Sequence, residues 1–161
     1  MVKAGTVVNS AGIIGTATND SAAAGAIGEF VTATVASGSA VSLTTATAAD
    51  VTSISLTAGD WDVSAQVVHN AAAGTSITIL QIGISVTTAT LPTQAGGSGI
   101  GTDPLAIFRV AASIPGGALT TSVPPVRVSL AATTTIYLVV SDTFTVSTMS
   151  AYGTIRARRV R

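Results

Sequence analysis

The sequence predicts an all-β protein, a single domain built as an antiparallel sandwich or barrel. From Gly28 onward, short alternating or β-branched runs are separated by Gly, Pro, Asn and Asp, which is typical of strands and turns in all-β folds. The composition of the 161-residue chain agrees, because its excess lies in Ala, Val, Ser and Thr. Helices and coiled coils favour Ala, Leu, Glu and Lys instead, so an all-helical fold is disfavoured.

The first 27 residues follow a different pattern. They contain several glycines and the cluster Thr18-Asn19-Asp20-Ser21, and they show no sustained period of 2 or 3.6. We therefore expect an extended N-terminal arm over residues 1–27, followed by one β domain over residues 28–161.

Ten strands are predicted in that domain. Each is an alternating or β-branched run bounded by turn residues. In chain order, the predicted strands are Glu29–Val35, Val41–Thr44, Thr52–Thr57, Trp61–His69, Ser76–Thr87, Leu105–Ala112, Val126–Leu130, Thr135–Ser141, Thr143–Thr148 and Ala151–Val160.

Two short connections predict β-hairpins. The segment 58–60, Ala-Gly-Asp, joins the strand that ends at Thr57 to the strand that begins at Trp61, and glycine supplies the positive φ of a tight turn. The segment 131–134 follows Val126–Leu130 in the same way. The strand from Trp61 alternates strictly, so one of its faces is predicted to be buried. The residues on that face are Trp61, Val63, Ala65 and Val67.

Two long connections interrupt the strands, at 89–104 and 115–125. Loops of an antiparallel sandwich gather at its ends, where they often contact partners. Simple tolerance of insertions is the alternative explanation for both.

Charged residues make up only 9% of the chain, against about 25% in average globular proteins. Seven basic and seven acidic residues give zero net charge, so no whole-molecule field attracts nucleic acid or anionic lipid. A surface this poor in charge is expected to be covered in part by other protein subunits.

Four of the seven positive charges lie in the last six positions, at Arg156, Arg158, Arg159 and Arg161. They continue a strand-like run from Tyr152, so both faces of that strand receive a guanidinium. We expect these arginines to pair with carboxylates such as Asp142 or Glu29, in the same subunit or a neighbouring one. An anionic partner such as phosphate or a glycan, and nucleic acid, are the alternatives.

No residue pattern predicts a catalytic site. His69, the single histidine, ends a strand, and the sequence contains no Gly-x-Ser-x-Gly elbow, so we expect a hydrogen-bonded structural role. Asp60 and Asp62 lie on either side of Trp61, and turn and strand-edge solubility is expected to explain both, although a glycosidase pair or a calcium site would also use carboxylates.

No cofactor and no metal are predicted either. The glycine-rich segment 96–101 lacks the Lys-Ser/Thr of a phosphate-binding loop, and the chain has no cysteine for a thiolate site or a disulfide. No apolar run approaches the roughly 18 residues of a membrane-spanning helix, so no membrane partner is expected.

Two blocks of the sequence resemble small virion proteins of tailed bacteriophages. The first runs from Ala40 to Ala65 and contains Leu56-Thr-Ala-Gly-Asp-Trp-Asp-Val; the second covers 128–140 and 151–160, ending Tyr-Gly-Thr-Ile-Arg-Ala-Arg-Arg-Val. The proteins they resemble are head-decoration (cement) and fibre-type proteins built on a jelly roll. The Leu56 run is also similar to the Leu-x-x-Gly-x-aromatic-x-Val strand of trimeric TNF/C1q-like jelly rolls. The resemblance implies an antiparallel jelly-roll β-sandwich over residues 28–161 and a homotrimer, with a dimer also compatible.

The resemblance implies a virion protein and does not choose a place on the virion; the leading hypothesis is a non-enzymatic capsid decoration protein. Such a protein is made in the host cytoplasm, self-associates, and binds the outer surface of the major capsid protein lattice. The candidate partner-binding residues are apolar residues of the arm, which has no strand in which to bury them, and the C-terminal arginines. They are Val7, Val8, Ile13, Ile14, Arg156, Arg158, Arg159 and Arg161.

Two alternatives come from other functional classes. A head- or tail-fibre tip would bind a host receptor or glycan through loops 70–75, 89–104 and 115–125, but these loops contain no aromatic residue. A hydrolase of surface polysaccharide would need two opposed carboxylates in a cleft.

Overall fold

The computed structural model describes residues 19–92, 107–115 and 117–161. Apart from one 3₁₀ turn at Ser37–Ser39, the regular structure in these residues is entirely strand. Each of the ten predicted strands has an observed counterpart. The strands are β1 (Phe30–Val35), β2 (Val41–Ser42), β3 (Ala49–Leu56), β4 (Gly59–Ala71), β5 (Ser76–Ser85), β6 (Ile107–Pro115), β7 (Ala118–Leu130), β8 (Thr134–Val140), β9 (Thr143–Thr145) and β10 (Met149–Arg159).

The strands form two antiparallel sheets. Sheet A has the order β1-β10-β4-β7, and sheet B has the order β3-β8-β5-β6. Strands of the first half of the chain pair with strands of the second half in nested order: β1 with β10, β3 with β8, β4 with β7, and β5 with β6. The β10–β4 and β8–β5 pairings wrap this long folded ribbon into a sandwich. The arrangement is an eight-stranded jelly roll, as expected, with β2 and β9 as short additions.

The core follows from the alternation in the strands. Along β4 the exposed fraction of Trp61, Val63, Ala65 and Val67 is at most 4%, whereas Asp62 and Gln66 are exposed and Ser64 is half-buried. The two sheets meet through the matching apolar faces of β3, β5, β8 and β10. Central members of this core are Ile54, Leu56, Ile82, Ile84, Ile136, Leu138 and Ile155. A second, smaller cluster fills one end of the sandwich with Ala71, Ile77, Leu80, Phe144 and Met149.

Both predicted hairpins are wrong. The turn at 58–60 leads from β3 in sheet B to β4 in sheet A, and the turn at 131–134 leads from β7 in sheet A to β8 in sheet B. In each case the two strands follow one another closely in sequence without pairing. Here a short turn between two alternating strands is a corner at which the chain passes from one sheet to the other. The reason is that each of these strands pairs with a strand from the other half of the chain and not with its neighbour in sequence.

The predicted loop 115–125 is also wrong, because β7 begins at Ala118. Pro124 and Pro125 lie inside this strand, where the register with β4 shifts between Val63 and Ala65, so that two β7 residues oppose Ser64. β7 is the edge strand of sheet A, and edges and bulges are the places where a sheet accepts proline. The two prolines that indicated a loop in the sequence lie in an edge strand.

The two central strands of sheet A approach each other closely at Gly153. Gly153 of β10 lies opposite Val67 of β4, and a Cβ at this position would overlap the carbonyl oxygen of Gln66. Glycine is required here because no side chain fits between the two backbones.

Of the predicted arm, residues 1–18 lie outside the described residues. Residues 19–28 make turns that lead into β1, and the Phe30 N–H donates to Ser21 Oγ at 3.0 Å. The described chain contains no helix that is long and apolar enough to span a membrane.

Candidate functional site

The C-terminal strand ends in a buried arginine. The Arg159 side chain is only 5% exposed; its Nε donates to Glu29 Oε2 at 2.9 Å, and its Nη1 donates to the Ala58 carbonyl oxygen at 2.9 Å. Its Nη2 also bonds the Thr57 hydroxyl. These acceptors come from two separate parts of the chain, so Arg159 ties the end of β10 to the start of β1 and to the β3–β4 corner.

The same guanidinium lies over the Trp61 ring, with its central carbon 4.2 Å from the ring centroid. The indole Nε1 donates to the Thr57 carbonyl oxygen at 2.9 Å, which fixes the ring. Gly59 makes room for the arginine, because a Cβ at this position would overlap Arg159 Nη1, and its φ of +137° is unfavourable for other residues. The corner residues 57–61 therefore surround the Arg159 guanidinium.

Asp60 forms a second arginine site beside the first. Its side chain is 4% exposed, and both carboxylate oxygens accept from Arg127 Nη2 at 3.0 Å. Arg161 Nε also contacts this carboxylate. Hydrogen bonds from Arg127, then from Ser129 and Arg161, lower the pKa of Asp60 from 3.8 to about 2. Asp60 is therefore a buried ion-pair partner, and the prediction that it serves turn solubility is wrong.

Glu29 is held in its charged form by a similar mechanism. The Gly25 N–H donates to Glu29 Oε2 at 2.7 Å, and this bond, followed by the bond from Arg159, lowers the pKa of the carboxyl from its ordinary value of 4.5. The expectation that a C-terminal arginine pairs with Glu29 is confirmed. The expectation for Asp142 is wrong, because this carboxylate binds His69 instead.

Arg156 and Arg158 occupy the outer face of sheet A and are exposed. Strand register places Arg158 beside Asp62 of β4, and Asp62 beside Arg127 of β7. A row of alternating charge thus crosses three strands, in which opposite charges are direct neighbours. The charges of this outer face collect at one end, where Arg161 and Asp60 also lie.

A hydroxyl, an imidazole and a carboxylate form a second candidate site. His69 Nδ1 lies 2.7 Å from Asp142 Oδ2, and its Nε2 lies 2.7 Å from Thr121 Oγ1. Asp142 sits in the break between β8 and β9, where its Oδ1 also accepts from the Gln81 N–H at 3.1 Å. Thr121 and His69 belong to sheet A, so the network bridges the two sheets.

Thr121, His69 and Asp142 follow one another as the nucleophile, base and orienting acid of a catalytic triad do, but their burial indicates a structural role. The side chains of His69 and Asp142 are both 0% exposed, and Thr121 faces the interior with an exposure of 7%. Because these side chains are buried, a substrate cannot reach the hydroxyl or the imidazole in this arrangement. Catalysis would need the nucleophile in contact with the reacting atom. The network satisfies buried polar groups and fixes the sheets against each other, as expected for a hydrogen-bonded His69.

A shallow depression lies on the outer face of sheet A, away from the charged end. Its volume is about 270 Å³, and none of its nine lining residues, all within the described chain, is charged. Tyr152 and Val68 supply ring and aliphatic surface, and Gln66 supplies an amide. The hydroxyls of Thr34 and Thr154 lie beside them and bond each other at 2.9 Å.

The structure places the predicted partner-binding residues in three settings. Arg156 and Arg158 are exposed, Arg161 is exposed but contacts Asp60, and Arg159 is buried in contacts within the chain. The apolar arm residues lie outside the described residues; they are Val7, Val8, Ile13 and Ile14.

Sequence reasoning did not identify the partners of Asp60, or the bridge from Thr121 through His69 to Asp142. These contacts join residues that are 52 to 101 positions apart. The only local signal was a single histidine at the end of an apolar strand face, a position that requires polar partners if it is buried.

Comparison with known proteins identifies no relative. No family model matches the chain, and no curated protein or solved structure gives a match.

Proposed function

We propose that this chain is a non-enzymatic structural protein of a tailed-bacteriophage virion, made in the host cytoplasm. It self-associates and binds the outer surface of the major capsid lattice as a decoration, or cement, protein. The resemblance of residues 40–65, 128–140 and 151–160 to virion proteins supports this proposal, as does the jelly-roll fold.

The observation that carries the proposal is the scarcity of charge on β3, β8 and β5 of sheet B. The three adjacent strands β3, β8 and β5 contain a single charged residue, Asp50. This carboxylate is already bonded, since it accepts from the Ala89 N–H at 2.8 Å and the Thr88 hydroxyl at 2.5 Å. The outward residues of β3 and β8 that reach the surface are Ser53, Ser55, Thr135 and Tyr137. Val139 points the same way but is 0% exposed, so the chain itself covers one end of this face.

Such a face suits a protein interface better than open water. Solvated surfaces typically carry about 25–35% charged residues, whereas the cores of interfaces are depleted of Lys, Glu and Asp. A stable interface of standard size buries about 1,600 Å² in total. We infer that the exposed outer residues of β3 and β8 rest on the capsid lattice.

Co-sedimentation with capsids tests the proposal. The full chain is mixed with capsids assembled from the major capsid protein of the same phage, and we expect saturable binding. A Ser53→Glu/Ser55→Glu variant should bind at least tenfold more weakly, whereas Gln66→Glu/Ser122→Glu on sheet A should bind like the parent. Failure of the parent to bind, or electron cryo-microscopy that locates it on the tail, would overturn the proposal.

The arm is tested with the same assay. Val7→Asp/Ile13→Asp replaces apolar side chains by charge, and we expect weaker capsid binding because a wrapping arm gains its affinity from buried apolar area. Deletion of residues 1–27 should have at least as large an effect. Unchanged binding by both variants would show that the arm does not contact the capsid.

The uncharged depression on sheet A favours a second candidate, a glycan-binding fibre tip. The Tyr152 ring beside the Gln66 amide and threonine hydroxyls combines stacking surface with neutral hydrogen-bonding groups, which suits an uncharged sugar ring. In a glycan array, Tyr152→Ala should abolish any binding, and Tyr137→Ala on sheet B should leave it unchanged. Binding that survives Tyr152→Ala would exclude this site.

A further inference from the structure

We propose that two copies of this chain pair through β1 along a two-fold axis, antiparallel and centred on Ala33, so that sheet A continues from one subunit into the next. This inference rests on the proposed self-association and specifies its geometry. No described strand pairs with β1 on the side away from β10.

The backbone groups on this open side can be identified from the pairing. The Arg159 N–H donates to the Glu29 carbonyl oxygen, and antiparallel bonding then alternates along the strand. Val31, Ala33 and Val35 therefore bond β10, whereas Phe30, Thr32 and Thr34 direct their N–H and C=O groups to the open edge. The Phe30 N–H, which donates outward to Ser21, agrees with this alternation.

The sequence of the strand makes it complementary to itself. Residues 31–35 read Val-Thr-Ala-Thr-Val, the same in both directions. Two-fold pairing centred on Ala33 sets Thr32 against Thr34 of the second copy, and Val31 against Val35 of the second copy. Thr–Thr and β-branched pairs are favourable cross-strand neighbours. The two threonine pairs would exchange four backbone hydrogen bonds, an isologous contact of the kind that closed dimers use.

Apart from Phe30, whose outward N–H is bonded to Ser21, the edge also lacks the usual protection against pairing. β7, at the opposite edge of sheet A, carries the Pro124-Pro125 bulge, whereas β1 contains no proline, no bulge and no charge. Val31, Ala33 and Val35 pack on the core yet stay partly exposed. A second strand alongside would cover them, together with apolar surface of Phe30, which is 45% exposed.

The arginines do not oppose this pairing. Arg156 lies on β10, one strand behind the edge. In the dimer the two β10 strands would be three strand spacings apart, about 14 Å. This exceeds the Debye length of about 8 Å at physiological ionic strength, so their mutual repulsion is screened.

Disulfide trapping tests the register directly, because the chain has no cysteine of its own. Ala33 and its symmetry mate would form a non-hydrogen-bonded pair with Cα atoms about 4.5 Å apart, within disulfide range. Under mild oxidation of the full chain, Ala33→Cys should give a covalent dimer. Val35→Cys is the matched control, since its mate would lie about 13 Å away along the strand. Equal cross-linking of both variants, or none by Ala33→Cys, would overturn the proposal.

Charge variants test the same contact in solution by sedimentation velocity. The parent should be a dimer. Thr32→Lys/Thr34→Lys sets like charges opposite each other and should weaken the dimer at least tenfold, whereas Thr32→Glu/Thr34→Lys sets Glu against Lys and should restore it. A parent that is monomeric or trimeric, or a double-lysine variant that is fully dimeric, would overturn the pairing.

Capsid binding distinguishes this inference from the proposed function. A dimer with the predicted cross-link that does not bind capsids supports the β1 contact and contradicts the decoration role. Capsid binding by a parent without the Ala33 cross-link supports the role and contradicts the contact.

Discussion

Arg159 and Trp61 form a buried cation–π pair, with 4.2 Å between the guanidinium carbon and the ring centroid. The pair joins the last strand of the chain to β4, the long central strand of sheet A. Because the guanidinium also bonds Glu29 and the corner at 57–58, one side chain connects four segments of the fold.

Replacement of this arginine by lysine should destabilise the protein. Arg159→Lys keeps the charge but loses the planar fork that reaches three acceptors at once, and we expect a loss of about 2 kcal/mol in the free energy of unfolding. Urea denaturation followed by the fluorescence of Trp61, the single tryptophan, measures it. The exposed Arg158→Lys is the control and should change stability by less than about 0.5 kcal/mol. Equal midpoints for the two variants would contradict the anchoring role.

Asp60 should make the protein sensitive to acid. Its pKa is lowered from 3.8 to about 2 in the folded state, so its stabilising contribution is complete above pH 3.8 and is lost as the pH falls through 2. Glu29, whose pKa is also lowered from 4.5, adds to the loss in the same direction. Melting temperatures between pH 5 and pH 2 should fall more steeply for the parent than for Asp60→Asn. Parallel curves would show that Asp60 does not contribute.

The bridge between the sheets should depend on the threonine hydroxyl. Thr121→Val keeps the shape of the side chain but leaves His69 Nε2 without its partner, and an unpaired buried polar group costs about 1–3 kcal/mol. Chemical denaturation measures the loss. Thr120→Val on the same strand is the control, because Thr120 is exposed and should tolerate the change. A Thr121→Val protein as stable as the control would indicate that the imidazole finds another partner.

Gly153 should not accept a methyl group. Gly153→Ala would push its Cβ into the Gln66 carbonyl oxygen, so β10 and β4 must separate, and overpacking of this kind costs about 1–3 kcal/mol. Gly38→Ala is the matched control, since a Cβ there meets nothing within 4 Å. Thermal unfolding of the two variants should differ clearly. A Gly153→Ala protein as stable as Gly38→Ala would mean that the two strands can move apart at no cost.

Local pattern predicted the strands well and their partners poorly. The period of two placed Trp61 and Val63 on the buried face of β4, because that alternation follows from the pleat of any strand. The same local signals misassigned the turns at 58–60 and 131–134, since a turn carries no information about whether its strands pair or enter opposite sheets. The prolines of β7 were misleading for a related reason: proline excludes a central strand and permits an edge one.

The sequence by itself determined an all-β chain, the approximate positions of its strands apart from the first half of β7, the buried side of β4, and a shortage of charge with arginines gathered in the last six positions. These properties depend on side-chain period and composition, which need no knowledge of distant contacts. Only the tertiary structure decided that β10 enters the middle of sheet A, that Arg159 stacks on Trp61, and that His69 bonds Asp142. Those contacts join residues that are at least 73 positions apart in the chain, and only the nested wrapping of the jelly roll brings them together.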